Sequence, residues 1–118
     1  MDVLGKNGDL LLKLMSASVA RHDAIASNLA NQNVAGYKRQ DVAFESLVLE
    51  ALDSGRDAAA VDMELSIDEE TPARADGNNV IVEDEVALQR ENLIRFQLWS
   101  TLIRSKSSLV ESAIHGDR

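Results

Sequence analysis

Histidine is the side chain best suited to acid-base chemistry near neutral pH, and this chain has two, His22 and His115. They lie near opposite ends of the sequence. A catalytic pair needs a cavity that brings its groups together, and we expect two packed helices not to provide one. We therefore assign neither histidine a catalytic or metal-binding role. His115, in the last turn of a predicted helix, is favourable beside the negative end of the helix dipole.

Two clusters of carboxylates, 68–70 and 83–85, have the residue types that bind calcium. A calcium-binding loop interleaves Asp, Asn and Gly and ends with Glu, and neither cluster has that order. We interpret both clusters as solvated acidic surface. The sequence also contains no phosphate-binding glycine loop, no Gly-x-Ser-x-Gly elbow, no His-Glu-x-x-His and no cysteine. We therefore predict a protein without cofactor or metal that is not an enzyme.

Charge is unevenly distributed along the chain. The formal net charge is −8, and residues 45–85 contain thirteen Asp or Glu against two Arg, a net of −11 that leaves +3 on the two ends. A nucleic-acid-binding protein needs a concentrated basic surface, so this class is excluded. The pattern is that of two weakly basic arms around an acidic middle.

Size limits the core that this chain can build. Its 118 residues include only four aromatic side chains, and without cysteine no disulfide compensates for a small core. We predict that other copies of the chain supply part of the stabilisation. The short apolar run Leu10–Leu12 is bounded by the charged residues Asp9 and Lys13. We therefore expect neither a cleavable signal nor a transmembrane helix, and we expect any export to use another route.

An amphipathic helix is predicted from Asp9, a plausible N-cap, to about Asn33. Its stripe has spacings of three and four and comprises Leu11, Leu14, Met15, Ser18, His22, Ile25 and Leu29. This spacing is typical of a coiled-coil seam. The polar members Ser18 and His22 lower stability in such a seam while specifying its register.

The acidic middle contains the strand signals. We predict a short extended segment at 41–45, a loop at 53–60, and a half-buried strand at 61–67, where apolar and polar residues alternate. A second short strand is predicted at 80–82 after the turn residues 76–79. The insert is therefore expected to be a small β-hairpin or partly disordered, since two strands alone are barely stable.

A second long helix is predicted from Glu83, where three acidic residues suit the positive end of the dipole, to Gly116. Its stripe comprises Val86, Leu93, Phe96, Ile103, Val110 and Ile114, widened by Trp99, Leu102, Leu109 and Ala113. The predicted fold is mainly α, with two long terminal helices packed as an antiparallel hairpin or coiled coil. We divide the chain into 1–38, the acidic insert 39–82, and 83–118, which forms one unit with the first segment.

The N-terminal motif resembles that of bacterial flagellar axial proteins, the rod and hook subunits. The residues that carry the resemblance are Asn28, Leu29, Ala30, Asn31, Gly36, Tyr37 and Lys38, followed by Val42, Phe44 and Glu45. Val34 and Ala35 stand where Thr-Pro is usual in that motif. Asn and Gly also suit the end of a helix, because both tolerate the left-handed backbone conformation.

The C-terminal part resembles one branch of that family, the proximal rod proteins of the FlgB type. The matching residues are Asp76, Gly77, Asn78, Asn79, Val80, Glu85, Glu91, Asn92, Arg95, Phe96, Leu102, Lys106, Leu109, Ala113, Ile114 and Gly116. The resemblance implies a structural subunit that the flagellar type III apparatus exports uncleaved. It implies a location in the basal-body rod, in the periplasmic space, and a role in motility.

The resemblance also implies partners and assembly surfaces. The partners are other copies of the chain, other rod proteins, the junction with the membrane ring and the export apparatus, with no nucleic acid and no membrane span. The assembly residues are Leu11, Met15, Ile25, Leu29, Leu93, Phe96, Trp99, Ile103, Val110 and Ile114. We hypothesise that Leu29, Phe96 and Ile103 carry much of this packing. The alternative is a soluble helical-hairpin adaptor or chaperone that binds one partner helix.

Overall fold

A computed structural model describes the backbone of residues 5–115, and within it every side chain except those of residues 6, 108–110 and 112–115. The elements in chain order are α1 (Gly5–Ala30), β1 (Gln40–Ala43), α2 (Glu45–Asp53), a 3₁₀ turn (Ala58–Ala60), β2 (Glu64–Ile67) and α3 (Val82–His115). The architecture is mainly helical, as predicted, with a small antiparallel sheet. None of the described helices is long and apolar enough to cross a membrane.

The helix boundaries partly follow the sequence signals. The N-cap prediction at Asp9 is wrong, because α1 already includes Gly5. The helix also ends at Ala30, three residues before the predicted Asn33. At the other end of the insert, α3 begins at Val82, one residue before the predicted start, with three acidic residues in its first turn. Gly116, the predicted end, lies outside the described residues.

The two long helices lie against each other. Asn28, near the end of α1, donates to Glu85 in the first turn of α3 over 3.1 Å. Farther along, Asn92 Nδ2 donates to the carbonyl oxygen of Ser18 over 2.7 Å. At 1.5 Å per residue α1 is about 39 Å long and α3 about 51 Å, so α3 is the longer by about 12 Å.

The predicted apolar stripes are only partly buried. On α1, Ser18 and Ile25 are buried and Leu11, Met15 and Leu29 are half-buried, whereas His22 is exposed and does not belong to the buried seam. On α3, Phe96, Trp99 and Ile103 are half-buried, and Leu93, which is 55% exposed, lines the groove between the two long helices. The side chains of Val110 and Ile114, like that of His115, lie outside the described ones.

The apolar core lies where α1 meets the insert. Ala17, Phe44 and Val48 form its buried centre. Partly buried residues complete it: Leu10, Leu14, Ala58 and Val61. Phe44 belongs to the motif that carries the resemblance, and here it is the largest fully buried apolar side chain of the described part. The sequence did not lead us to predict α2, whose inner face supplies Val48.

The sheet pairs different segments from those expected. The strand predicted at 61–67 is present as β2, but its partner is β1, with Val42 opposite Leu65 and Gln40 opposite Ile67. The predicted strand at 80–82 is wrong, because Val80 donates its amide to Asn78 Oδ1 and Val82 already begins α3. The predicted half-burial is also wrong: every residue of β2 is exposed, since α1 packs against β1.

Candidate functional site

Asn28 lies at the centre of a buried polar cluster that joins both ends of the chain. Its side-chain Nδ2 donates to the carbonyl oxygen of Gln40 over 2.9 Å and to Glu85 over 3.1 Å. Its Oδ1 accepts from the Gln40 amide over 2.8 Å and from the Tyr37 hydroxyl over 3.0 Å. An Asn amide has two donor hydrogens and two acceptor lone pairs, so all of its capacity is used. One side chain thus joins α1, β1 and α3.

Glu85 and Arg39 form a buried ion pair beside Asn28. Glu85 is 0% exposed, and its Oε1 accepts from Arg39 Nε over 2.6 Å. The Arg39 guanidinium also donates to Asp68 over 3.0 Å. The interpretation of 68–70 and 83–85 as solvated surface is therefore wrong for Glu85 and Asp68. A buried carboxylate needs such partners, because leaving it unpaired in the interior costs several kcal/mol.

The hydrogen bonds around this ion pair shift the pKa values of Asp68 and Arg39. The pKa of Asp68 is held well below its usual range, first by the Thr71 hydroxyl and amide and then by Arg39. Burial acts to lower the pKa of Arg39, but hydrogen bonds to Glu85 and Asp68 outweigh it, and the net pKa is raised. Both groups are therefore ionised throughout the physiological range, and the cluster is a fixed structural element there.

The segment 76–80 closes the C-terminal end of α1 from the outside. Asn78 Nδ2 donates to the carbonyl oxygens of Asn31 and Val34 over 2.9 and 2.8 Å. Both oxygens lie in the turn that follows α1, where each also accepts a local backbone hydrogen bond, from the amides of Val34 and Tyr37. The Asn31 side chain also binds a carbonyl oxygen in the last turn of α1: its Nδ2 donates to the Ser27 carbonyl over 2.8 Å. Asparagine side chains do bind carbonyl oxygens at this end of the helix, as predicted, and one of them, Asn78, comes from a distant segment. No described asparagine adopts the left-handed conformation, which here belongs to Gly36.

Asn79 attaches the same segment to the sheet. Its Oδ1 accepts from the Arg39 amide over 2.7 Å, and its Nδ2 donates to the carbonyl oxygen of Asp68 over 2.7 Å. The Asn79 amide in turn donates to the Tyr37 carbonyl. Asn78 and Asn79 are both buried. The two motif segments, far apart in sequence, thus form one junction.

Two glycines allow these segments to approach closely. Gly36 donates its amide to the carbonyl oxygen of Asp76 over 2.8 Å, and a Cβ on Gly77 would lie 3.2 Å from the Gly36 Cα. Both glycines have positive φ, 76° and 86°. Lys38 Nζ donates to the Gly77 carbonyl, which fixes the crossing from the other side. A side chain on Gly77 would force the two backbones apart.

A second ion pair attaches α1 to the start of α2. Arg21 donates to both carboxylate oxygens of Glu45, over 3.2 and 2.7 Å, and to the carbonyl oxygen of Val42. Burial acts to raise the pKa of Glu45, but the Arg21 hydrogen bond and charge outweigh it, and the net pKa is lowered. This bidentate geometry is the stronger form of an arginine-carboxylate contact.

Contrary to our expectation, the two long helices do form a groove, of about 430 Å³, beside His22. Ser18, one turn away, lines it too, but its buried Oγ has no hydrogen-bond partner. A histidine that activated this serine would have to share a hydrogen bond with it. Within the described residues no group of three or more His, Asp or Glu is placed to hold a metal ion. The groove is lined mainly by Val19, Leu93, Phe96 and long polar side chains.

The N-terminal half of the junction is similar to a known family. Residues 15–38, from the middle of α1 through the turn to Lys38, match the family model described as flagella basal body rod protein. This match supports a relationship between this chain and the flagellar rod proteins. It covers 24 of the 118 residues, and it includes Asn28, Asn31, Gly36 and Tyr37. A comparison with the curated proteins gave no significant match.

The family match suggests a structural role in the basal-body rod, and the family itself is not enzymatic. It implies a location in the flagellar basal body and assembly with other rod components. The segment 76–79 and Phe44 lie outside the match. They nevertheless contact the matched part, since Asn78 caps its helix and Phe44 packs under α1.

Sequence reasoning missed several residues of this junction. Arg39 and Arg74 were not singled out for any role, although Arg74 donates to the carbonyl oxygens of Gln32 and Val80. Asp68 was interpreted only as part of a solvated acidic cluster. Glu85 was placed in an acidic first helical turn and among the residues of the C-terminal resemblance, but it was not predicted to be buried. A usable signal exists for Arg39, since it is a cation directly after the Gly-Tyr-Lys motif and before the predicted extended segment. Its partners cannot be identified without the tertiary contacts.

Proposed function

We propose that this chain is a subunit of the proximal rod of the bacterial flagellar basal body, of the FlgB type. The observation that carries the proposal is the rod-family match at residues 15–38. A second observation supports the branch: the Asp76–Asn79 segment, which carries the resemblance to the proximal rod proteins, caps the matched helix through Asn78. The residues that carry the two resemblances, although far apart in the sequence, thus lie together in one junction.

In this proposal the subunit polymerises through α1 and α3, packed as an antiparallel hairpin. The contacts of Asn28 with Glu85 and of Ser18 with Asn92 support that direction, because they run in opposite senses along the two helices. Contacts between different faces of identical subunits build a helical tube when they do not close into a ring. Stiff, packed helices then transmit torque along the tube. Assembly contacts include Leu29, Phe96 and Ile103.

Deletion of the gene, with motility assays and electron microscopy of basal bodies, tests this function. We expect non-motile cells whose basal bodies lack a rod, and restoration by the wild-type gene on a plasmid. In the same strain, Ile103→Asp should abolish rod assembly, whereas Thr101→Asp, on an exposed position of the same helix, should restore motility. Normal flagella in the deletion strain would refute the proposal, and full restoration by Ile103→Asp would refute the packing role.

The location proposed is the rod within the periplasmic space, reached through the type III export apparatus without cleavage. Purified basal bodies should therefore contain the protein at the mass of its full sequence. A shorter product that has lost its N-terminal residues would contradict uncleaved export, and its absence from basal bodies would contradict the location.

A soluble adaptor or chaperone is the second candidate, and the groove beside His22 favours it. The groove is largely apolar and lies along both long helices, which suits a partner helix. This candidate predicts a finite complex with one partner, whereas a rod subunit forms polymers. Mass determination of complexes isolated from cells by light scattering separates the two.

A further inference from the structure

The helix α3 is attached to the rest of the chain unevenly along its length. As far as Asn92 it is held by buried polar side chains: Glu85 accepts from Arg39 in the junction, and Asn92 donates to the Ser18 carbonyl. Farther on, none of the described residues 96–107 is fully buried, and none of their side chains forms a hydrogen bond or ion pair with another element. We call residues 96–107 the distal arm of α3.

The distal arm lies against α1 through one apolar face. Phe96 lines the groove between the two helices, and Trp99 and Ile103 follow it after three and seven residues, so they share its side of α3. All three side chains are half-buried. The facing half of α1 is attached independently of the arm, since Lys13 donates to the Val61 carbonyl over 2.9 Å and two leucines of this half pack against the core.

Buried polar atoms without a hydrogen-bond partner in the protein are concentrated at this contact. Within the described residues they are Ser18 Oγ, Asn92 Oδ1 and Trp99 Nε1, which lie at the base of the distal arm or on it. In the junction, by contrast, the whole hydrogen-bonding capacity of Asn28 is used. An unpartnered polar atom raises the free energy of the state that buries it, and it gains a hydrogen bond to water when that state opens.

We propose that the distal arm detaches from α1 while the junction stays closed. Detachment gives up only the half-buried contacts of one apolar face, and it exposes the three unpartnered atoms to water. The free energy of this opening is therefore well below that of unfolding the whole chain. The detached arm loses helical hydrogen bonds, because most of the stability of a helix in a protein comes from its packing.

The closed arm acts as an autoinhibitory contact. It covers the apolar face that includes Phe96 and Ile103, and opening makes this face available to another subunit. This consequence alone rests on the proposed function, in which both residues are assembly contacts. The opening itself is a property of the isolated chain.

Hydrogen-exchange NMR of the purified full chain tests the opening. We expect the amides of residues 99–107 to exchange faster than those of residues 86–92 in the same helix, with a step between the two groups at the base of the arm. Equal rates in the two groups would overturn the inference. A gradual rise towards the end of α3 would also overturn it, because that is the pattern of ordinary fraying.

Two serine substitutions in α1 make the test specific. Ser18→Ala removes one of the unpartnered atoms and should slow the exchange of the arm amides about tenfold, because the closed state no longer buries that atom. Ser16→Ala, at an exposed serine of the same helix, raises helix propensity equally and is the matched control. It should leave the ratio of exchange rates between arm and residues 86–92 unchanged. Equal effects of the two substitutions would overturn the role of the unpartnered atoms.

Trp99 provides a second readout, because it is the single tryptophan of the chain and lies on the distal arm. In urea titrations we expect its fluorescence to change at a lower urea concentration than the far-UV circular dichroism, which reports all the helices. Coincident transitions would show one cooperative unit and would contradict a separate opening of the arm. None of these measurements bears on whether basal bodies of the deletion strain lack a rod, so the two proposals fail separately.

Discussion

At the scale of single residues, the junction depends on side chains that both donate and accept hydrogen bonds. The Asn28 side chain forms hydrogen bonds with Gln40, Tyr37 and Glu85 at the same time. An aspartate there would place a second carboxylate against Glu85, and an alanine would leave several buried polar groups without partners. Burying unsatisfied polar groups is among the more expensive changes in a protein interior.

We predict that Asn28→Ala lowers the free energy of unfolding by about 2–4 kcal/mol, because it removes four hydrogen bonds in a buried site. Urea denaturation followed by circular dichroism measures this change. Asn33→Ala, at an exposed asparagine of the same turn, is the control and should stay within about 0.5 kcal/mol of wild type. Equal effects of the two substitutions would contradict the role of the junction.

Asp68 leads to a pH-dependent prediction. Its pKa is lower in the folded chain than in the unfolded chain, so its contribution to stability is present above the unfolded value of about 3.9 and declines as the pH falls towards the folded value. Asp68→Asn removes the charge opposite Arg39 and should cost about 1–3 kcal/mol at pH 7. The difference between wild type and variant should be constant from pH 7 to pH 5 and should shrink below about pH 4 in urea titrations. A difference that grows on acidification would show that the carboxylate is not stabilised by folding.

At the scale of elements, two turns hold the helices in position. The turn after α1 and the segment before α3 cross where Gly36 and Gly77 meet, and Asn78 caps the first helix from the second segment. The crossing determines where α3 begins relative to the end of α1. The usual Thr-Pro of the rod motif is absent here, and the long-range hydrogen bonds from Asn78 and Arg74 hold the Val34 region instead.

Comparing Gly77→Ala with Gly55→Ala distinguishes the cost of a strained φ angle from the cost of forcing two backbone segments apart. Both positions have positive φ, 86° and 74°, but only at Gly77 would a Cβ meet another backbone, 3.2 Å from the Gly36 Cα. Gly55→Ala should cost about 1–2 kcal/mol through φ alone. Gly77→Ala should cost at least about 1 kcal/mol more, because the two backbones must separate. Thermal and urea unfolding of the two variants measure the difference, and equal costs would mean that the crossing is not tightly packed.

At the scale of the whole molecule, the chain has more apolar surface than its own helices and sheet cover. Groups of exposed apolar side chains lie on β2 and on the outside of α3, and exposed contiguous patches of this kind mark interaction sites. The local stability of the insert differs from one part to another, because only some of its residues are held by hydrogen bonds or burial. Asp68, Asn78 and Asn79 form hydrogen bonds with residues 31–39, whereas every residue of β2 is exposed.

The sequence left the acidic insert either a small β-hairpin or partly disordered, and the structure leads to a sharper prediction for its amides. In hydrogen-exchange NMR of the monomer we expect slow exchange at the amides of Gly36 and Asn79, which are bonded within the junction. We expect fast exchange between residues 54 and 63, where most positions are exposed. Uniformly slow exchange with sharp, dispersed resonances from 50 to 82 would contradict the prediction for the insert.

Local patterns were sufficient for the two long helices and for the segment of β2, but not for α2. The period of the apolar residues, the acidic first turn of α3 and the alternation before Asp68 are signals carried by neighbouring residues, and they placed α1, α3 and β2 within a few residues. The motif residues that carry the rod resemblance are local in the same sense. Local signals failed for the partner of β2 and for the exposure of His22, because burial depends on which element lies alongside.

The junction was decided only by the tertiary structure. Arg39, Asp68, Asn78 and Glu85 are separated by up to 46 residues in the chain, and each has an ordinary surface role when considered alone. Their burial follows from the crossing of Gly36 with Gly77, which brings the end of α1, the start of β1 and the start of α3 together. A carboxylate such as Glu85 becomes a buried structural group only when Arg39 and Asn28 surround it. Local sequence patterns therefore determined α1, α3 and the segment of β2, and long-range hydrogen bonding determined how these elements are joined.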